Sequence, residues 1–392
     1  MNLSHKVKNY KLSKKHMKVL HIITSLNDGG AEALLYRMCK YDKSNNHIVI
    51  SLMDKQKYGL MLNKIGVDVY TLNFLNRKAS IAGFYKLYQL IKQIKPDVIQ
   101  TWLDHADLIG GIIGRLAGVK NIVWGVHHAE LIKGESKLLT ILVTKINSFL
   151  SHFIPYKIIY CAEESRKAQE KIGFKKSKGV VVLNGYDIEG FTQDNLLERK
   201  LRNELSISDD TFLIGHVGRY DPLKDVSNLI EALALLHKRQ LKFSAVIIGT
   251  DLDTNNLDLV SMVNKNGLNE CVHLLGRRND INDVMNGIDL FVLSSISEAF
   301  PNVLNEAMLC GTPCVTTNVG DAAYIVSDTG WVAPSRNSKL LADAISQAFK
   351  EKQLNNARWL DKKDACRQRV INNFSLEKMV KNYHKVWAGG IK

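Results

Sequence analysis

Short apolar runs of strand length recur through the whole chain, and they alternate with apolar residues at helical spacing. The first half carries such runs at 17–26, 47–53, 67–72, 97–101, 121–126 and 158–162, and the second at 211–217, 243–249, 272–275, 290–293 and 314–317. A run that stays apolar without alternating is buried on both faces, and strands separated by helices pair in parallel. The pattern therefore predicts an α/β fold with a doubly wound parallel sheet in each half. A length of 392 residues is enough for two separate cores. No repeat finer than the two halves is present.

Hydrophobic content of 45% and charged content of 23% are ordinary for a globular chain, and no apolar run reaches the length of a membrane-spanning helix. The opening stretch, 1–16, is basic but lacks the apolar core of a signal peptide, and Met17 is a second candidate start. Charge is unevenly placed. Residues 1–190 carry 29 Lys+Arg against 15 Asp+Glu, whereas 191–392 carry 24 of each. A one-sided basic surface fits a polyanionic partner such as a membrane, a phosphorylated carrier or a nucleic acid. A generally lysine-rich composition also accounts for part of it, and no nucleic-acid-reading motif is present. The six cysteines are scattered without metal-ligand spacing, as in a reducing compartment.

The stretch 289–313 concentrates the chemistry. Strand-like Leu290 to Leu293 leads through a polar turn to Glu298; Pro301 suits a first helical turn, Asn302 can cap it, and Gly311 stops the helix. A helix N-terminus at the carboxyl end of a strand favours an anion such as phosphate, here through the amides of Asn302 and Val303. Glu306 stands one turn inside the helix, so both carboxylates can face one cavity. On spacing alone, Glu306 reads equally as a solvated helix residue and Glu298 as a first-turn charge.

Other candidates sit at strand ends. Gly29-Gly30 follows the first run and lets backbone approach a ligand, although it is not a dinucleotide fingerprint. His127-His128 follows the run at 121–126, at the edge where open α/β sheets bind ligands. Gly218-Arg219 and then Lys224 flank a turn in which two cations can converge on one anion. The helical stretch 138–156 reads either as a cover for the sheet or as an amphipathic helix at a lipid surface.

The run SEAFPNVLNEAMLCGTPCV resembles the E-x7-E region of retaining glycosyltransferases of family 4, which have the GT-B fold. VGRYDPLKD is similar to that family's diphosphate-binding segment, VVVLNGYDIEGF to the end of its first domain, and Gly29-Gly30-Ala31-Glu32 to its acceptor-side loop. The likeness spans about 17–387. It implies two Rossmann-like domains facing a cleft: 17–195 for the acceptor, 196–370 for the nucleotide sugar, and a final helix over 371–392 returning to the first domain. That return seats Trp387 near the hinge.

The resemblance also assigns roles. Gly218, Arg219, Lys224, Phe300, Asn302 and Val303 take the donor's diphosphate side, Glu306 its ribose and Arg277 the base. Glu298 orients the sugar, His127 holds a sugar hydroxyl, and Gly29, Gly30 and Glu32 face the acceptor. One departure is Ala299-Phe300-Pro301 where the family more often has Gly-Phe-Gly, which removes one amide from the phosphate site. The expected activity is retaining transfer from a nucleotide sugar, UDP-linked, to a lipid-linked saccharide of a cell-surface polysaccharide. It needs no metal or other cofactor, and it takes place at the anionic inner face of the cytoplasmic membrane. A nucleotide-sugar 2-epimerase would share the fold, a nucleic-acid binder would explain only the charge, and a non-catalytic subunit would usually lose Arg219, Lys224 or Glu306.

Overall fold

A computed structural model describes residues 16–74, 80–128 and 138–390. The basic extension expected over 1–16 lies outside these residues, apart from His16. The first sheet holds β1 (Lys18–Ile23), β2 (Asn46–Ser51), β3 (Asp68–Thr71), β4 (Val98–Trp102), β5 (Ile122–Val126), β6 (Lys157–Tyr160) and β7 (Gly179–Val181). The second holds β8 (Phe212–Arg219), β9 (Phe243–Thr250), β10 (Val272–Gly276), β11 (Leu290–Leu293), β12 (Cys314–Thr317) and β13 (Trp331–Ala333). Their spatial orders are β3-β2-β1-β4-β5-β6-β7 and β10-β9-β8-β11-β12-β13. The pairs are parallel throughout, so both sheets are doubly wound.

Each sheet reverses its direction of winding once, between β1 and β4 and between β8 and β11. Loops leaving the two central strands part there and open a crevice at the carboxyl ends. Helices cover both faces of each sheet because the strands are apolar on both. β1, β4, β5 and β11 are buried from end to end or nearly so. Apolar side chains pack above and below each sheet. The core under the second sheet continues into Cys161, Ala162 and Tyr186 of the first domain's side.

The chain crosses between domains twice. Residues 182–194 connect β7 to the helix Asn195–Glu204, which packs on the second domain through Arg202 and Asp289 at 2.7 Å. The return crossing follows the helix Asn356–Asn373, which runs past the expected edge at 370. The two crossings touch where Tyr186 N–H donates to Phe374 O at 2.9 Å and Leu376 N–H to Tyr186 O at 3.0 Å.

The final helix, Leu376–Gly389, is capped by Ser375 and buries Leu376, Met379, Val380, Tyr383 and Trp387 against the first sheet. Trp387 is not at the hinge, as the sequence reading placed it. Twelve residues of helix carry it about 18 Å beyond Ser375, into the first domain's core. There its indole N–H donates to Gln100 Oε1 at 3.0 Å. Asn121 Nδ2 in turn donates to the Trp387 carbonyl at 2.8 Å. Truncating a fully buried indole removes its transfer energy and leaves a cavity, so Trp387→Ala should destabilise the first domain by about 3–5 kcal/mol. Denaturant unfolding followed by tryptophan fluorescence checks this, and an unchanged midpoint would contradict the packing described.

Candidate active site

Between the two carboxyl edges lies a cavity of about 480 Å³. Its walls come from the loops after β1, β4, β5, β6 and β7 on one side and after β8 and β11 on the other. Gly29, Gly30, Glu32, His127, Gly218, Arg219, Lys224, Glu298, Phe300, Asn302, Val303 and Glu306 all line it. Arg277 does not. Its guanidinium pairs with Asp28 across the cleft mouth, where both side chains are exposed. Arg277 follows β10 at the rim, outside the wall itself.

The second-domain wall is built on two stitched loops. Asp221 caps the short turn Pro222–Lys224 through Leu223 N–H at 2.9 Å, and Asp225, with φ 47°, ends it sharply. That tight turn projects Lys224 toward Glu298. Lys224 Nζ lies 2.5 Å from Glu298 Oε1, which also accepts from Ser295 Oγ at 2.8 Å. Ser294 Oγ donates to Lys224 O at 2.9 Å, and Ile296 N–H to Leu223 O at 2.8 Å. Arg219 is the last residue of β8, its side chain 65% exposed and 3.9 Å from Asp221.

The helix Asn302–Leu309 begins after Pro301, which stands at its cap position without a side-chain bond. Asn302 therefore does not cap its own helix, contrary to the sequence reading. Its Oδ1 accepts from Tyr186 Oη and, at 3.1 Å, from Asn184 Nδ2. The capping capacity is spent on the interdomain connection, and first-turn amides stay directed at the cavity. Burial pushes the Glu306 carboxyl up, and the nearby Arg37 opposes the shift.

On the first-domain wall, Gly29 precedes the helix Gly30–Tyr41, and Glu32 folds back over it. A Cβ on Gly29 would stand 2.4 Å from Glu32 Oε2. Burial raises the Glu32 carboxyl, while Ser25 Oγ donates to it at 3.2 Å. His127 stacks on the fully buried Trp102 at 4.9 Å and 14°. Burial, and next to it His128, pushes His127 down to about 3, so near neutrality it is an uncharged ring. His128 turns away: its Nδ1 lies 3.4 Å from Asp104 Oδ2 and its Nε2 3.0 Å from Gln169 Nε2.

Several cavity residues had no sequence signal. Leu103 holds φ 74° and ψ 155° at the end of β4, a strained conformation costing about 1–3 kcal/mol. Cys161 lines the wall, but burial pushes its thiol up to about 12, which makes it a poor nucleophile. Asn184 was legible only as part of the connecting segment.

Metal-type residues lie elsewhere. The triplet Asp251-Leu252-Asp253 follows β9, where Asp253 accepts from Asn255 N–H at 2.8 Å, and it is not part of the cavity wall. The side chains of His21, Cys39 and His47 approach within 4.8 Å, buried under the first sheet. Trp102 Nε1, which can only donate, lies 3.1 Å from His21 Nδ1. The His21 proton is therefore on Nε2, 2.8 Å from His47 Nδ1, and His47 Nε2 gives its proton to Asp42 at 3.1 Å. The lone pairs a metal would need are occupied by this chain of hydrogen bonds.

Two parallel-sheet domains around a cleft lined by cations, carboxylates and a helix start define a glycosyltransferase of the GT-B class. Residues 28–189 match the family model described as Glycosyltransferase Family 4, and 198–363 match that of Glycosyl transferases group 1. Together the two models match both halves of the chain, which is a glycosyltransferase. An Escherichia coli UDP-Gal:alpha-D-GlcNAc-diphosphoundecaprenol alpha-1,3-galactosyltransferase is 27% identical over 75% of this chain and 76% of its own. The Staphylococcus aureus capsular polysaccharide biosynthesis glycosyltransferase CapM is 26% identical over 92% and 94%. The crystal structure of Anabaena HepE in complex with UDP superposes with a TM-score of 0.83 at 23% identity, covering 95% of this chain and 100% of that one.

The buried histidines give the fold a pH dependence of definite sign. His216, under the second-domain wall, is pushed down to about 4 by burial, as His127 is to about 3. Lowered folded values mean that stability is complete above the unfolded value near 6.5 and falls as pH drops toward 4. Burial of Glu32 and Glu306 acts in the opposite direction, so the comparison of variants is decisive. His216→Gln should flatten the fall by up to about 1.4 kcal/mol per pH unit below 6.5, measured by denaturant unfolding from pH 7 to 4.

Proposed function

We propose that this chain transfers a sugar from a UDP-linked donor to a lipid-linked saccharide during assembly of a cell-surface polysaccharide. The observation that carries the reading is the meeting of Arg219, Lys224, Glu298 and Glu306 with a helix N-terminus in one cavity, opposite Gly29-Gly30 and His127. The Escherichia coli relative, a UDP-Gal:alpha-D-GlcNAc-diphosphoundecaprenol galactosyltransferase, supports the choice of donor and acceptor, and the Staphylococcus aureus relative supports a role in surface polysaccharide.

In this reading the donor's diphosphate lies over the first turn at Asn302 and Val303, between Arg219 and Lys224. Charge that builds on the departing phosphate meets two cations and amide dipoles gathered at one cavity wall. Glu306 accepts from the ribose hydroxyls. Glu298, steadied by Lys224 and Ser295, faces the positive charge that develops at the anomeric carbon. His127, uncharged, exchanges a hydrogen bond with a sugar hydroxyl.

The acceptor hydroxyl then attacks the anomeric carbon on the face the diphosphate leaves. The bond to the phosphate oxygen breaks, and that oxygen takes the acceptor's proton, so configuration is retained. A double displacement would need a carboxylate nucleophile on the opposite face. The cationic groups supply the field that a divalent ion supplies to other transferases, so turnover should persist in excess chelator.

Membrane association is part of the same proposal. On the helix Leu138–Leu150, Leu138, Leu142, Ile146 and Phe149 recur at steps of three and four, and Phe153 continues the stripe. Every one of them is at least 40% exposed, while Val143, Thr144 and Asn147 face inward. Among the described residues no helix is long and apolar enough to cross a membrane. A basic first half with one apolar stripe suits shallow, reversible binding to anionic lipid, at about 1 kcal/mol per basic residue near the surface.

Three experiments test these statements. A panel of nucleotide sugars should protect the protein against heating, with UDP sugars strongest. Arg219→Ala and Lys224→Ala should each slow UDP release ~10²-fold or more with little effect on the unfolding midpoint. Near-normal rates in either variant would remove the diphosphate assignment. In sedimentation, the protein should bind vesicles containing anionic lipid and release as salt rises, and Phe149→Ser with Phe153→Ser should weaken this. Equal binding to neutral vesicles would contradict the electrostatic part.

A further inference from the structure

One acidic residue outside the cavity joins both domains to the loop that carries Glu298. The helix Glu163–Lys171 follows β6, whose end at Cys161 forms part of the cavity wall, and this helix has no cap within its own domain. Its first amides are taken by the second domain. Glu163 N–H donates to Asp321 Oδ2 at 2.8 Å and Glu164 N–H to Asp321 Oδ1 at 3.0 Å. The carboxylate is thus buried at a positive helix end, a favourable place for it. Glu163 and Glu164 are directed away from it by pairing with Arg166 and Lys167.

Asp321 also holds the Glu298 loop. Its own N–H donates to Ala299 O at 2.9 Å. Gly320 beside it has φ 48°, and a Cβ there would lie 2.1 Å from Glu298 O and 2.4 Å from Ala299 O. The loop is therefore clasped from one side by Lys224 and Ser295 and backed on the other by Gly320-Asp321. Around this contact the domains are separated by open space. A cavity of about 790 Å³ runs from Asp321 to the crossing at Ser375, and one of about 360 Å³ lies between Lys167 and the Glu298 loop. Asp321 is a narrow strut between two voids.

We propose that Asp321 is a positioning residue for sugar transfer: its carboxylate engages the helix Glu163–Lys171 when the domains close, and so sets the Glu298 loop against the donor. The inference rests on the donor reading above.

The test uses the full chain, with UDP as the probe. Small-angle scattering should show wild-type protein contracting when UDP is added, and Asp321→Ala failing to contract. Calorimetry should give Asp321→Ala a UDP affinity roughly tenfold weaker, about 1.4 kcal/mol. Asp321→Asn, which keeps one acceptor, should fall between the two. Ligand-free melting midpoints of all three should agree within roughly 3 °C, because the strut acts between domains rather than within one. Contraction and affinity like wild type in Asp321→Ala would overturn the strut alone. An equal loss in both variants together with a lowered ligand-free midpoint would reduce Asp321 to a structural cap and also overturn it. Wild-type protein that binds no UDP would overturn the donor reading, and the strut with it.

Discussion

The polarity of a parallel sheet governs this molecule. Every strand in a sheet ends at the same edge, so every loop that can vary without disturbing the pairing is collected there. The two sheets present those edges to each other, and the point of reversal in each leaves room between loops. That arrangement explains why the loops after β1, β4, β8 and β11 supply Gly29, Leu103, Arg219 and Glu298 to one cavity. Residues separated by 269 positions, such as Gly29 and Glu298, meet because topology delivers them.

The cavity then works by controlled desolvation. On the first-domain wall burial lowers His127 and raises the Glu32 carboxyl, so each is shifted toward its neutral form. The second-domain wall holds the ion pairs Arg219–Asp221 and Lys224–Glu298, and burial raises the Glu306 carboxyl there as well. A highly charged donor and a polyhydroxylated acceptor make different demands, and the two walls differ accordingly. The Lys224–Glu298 contact is half-sheltered rather than fully buried, so either partner can turn to a ligand without a large desolvation penalty.

Legibility in the sequence followed the range of each interaction. The two doubly wound sheets were readable because strand, turn and helix signals are local. The same holds for Glu298, Lys224 and the helix at Asn302, each announced by its own segment. What the sequence could not express was a partner chosen at long range. Asn302 looked like a cap until Tyr186 and Asn184 claimed its oxygen, and nothing local announced that Arg277 would pair with Asp28 across the cleft mouth. Nothing local tied Asp321 to Glu163 and Glu164, 157 or more residues away. Leu103 carried no cue because its strain exists only in the folded backbone.

The final helix has a consequence for how the molecule comes into being. The first domain leaves the ribosome early, with its sheet strands in place, but its core is left open along one side. The residue that fills it, Trp387, joins Gln100 across 287 positions of chain. The intervening second domain must be synthesised before that gap can shut. For most of its synthesis the first domain is an apolar trough awaiting its lid, and unfinished chains of this protein are natural clients for chaperones. Late closure makes the first domain depend on everything between: it is complete only when the chain has returned to where it began.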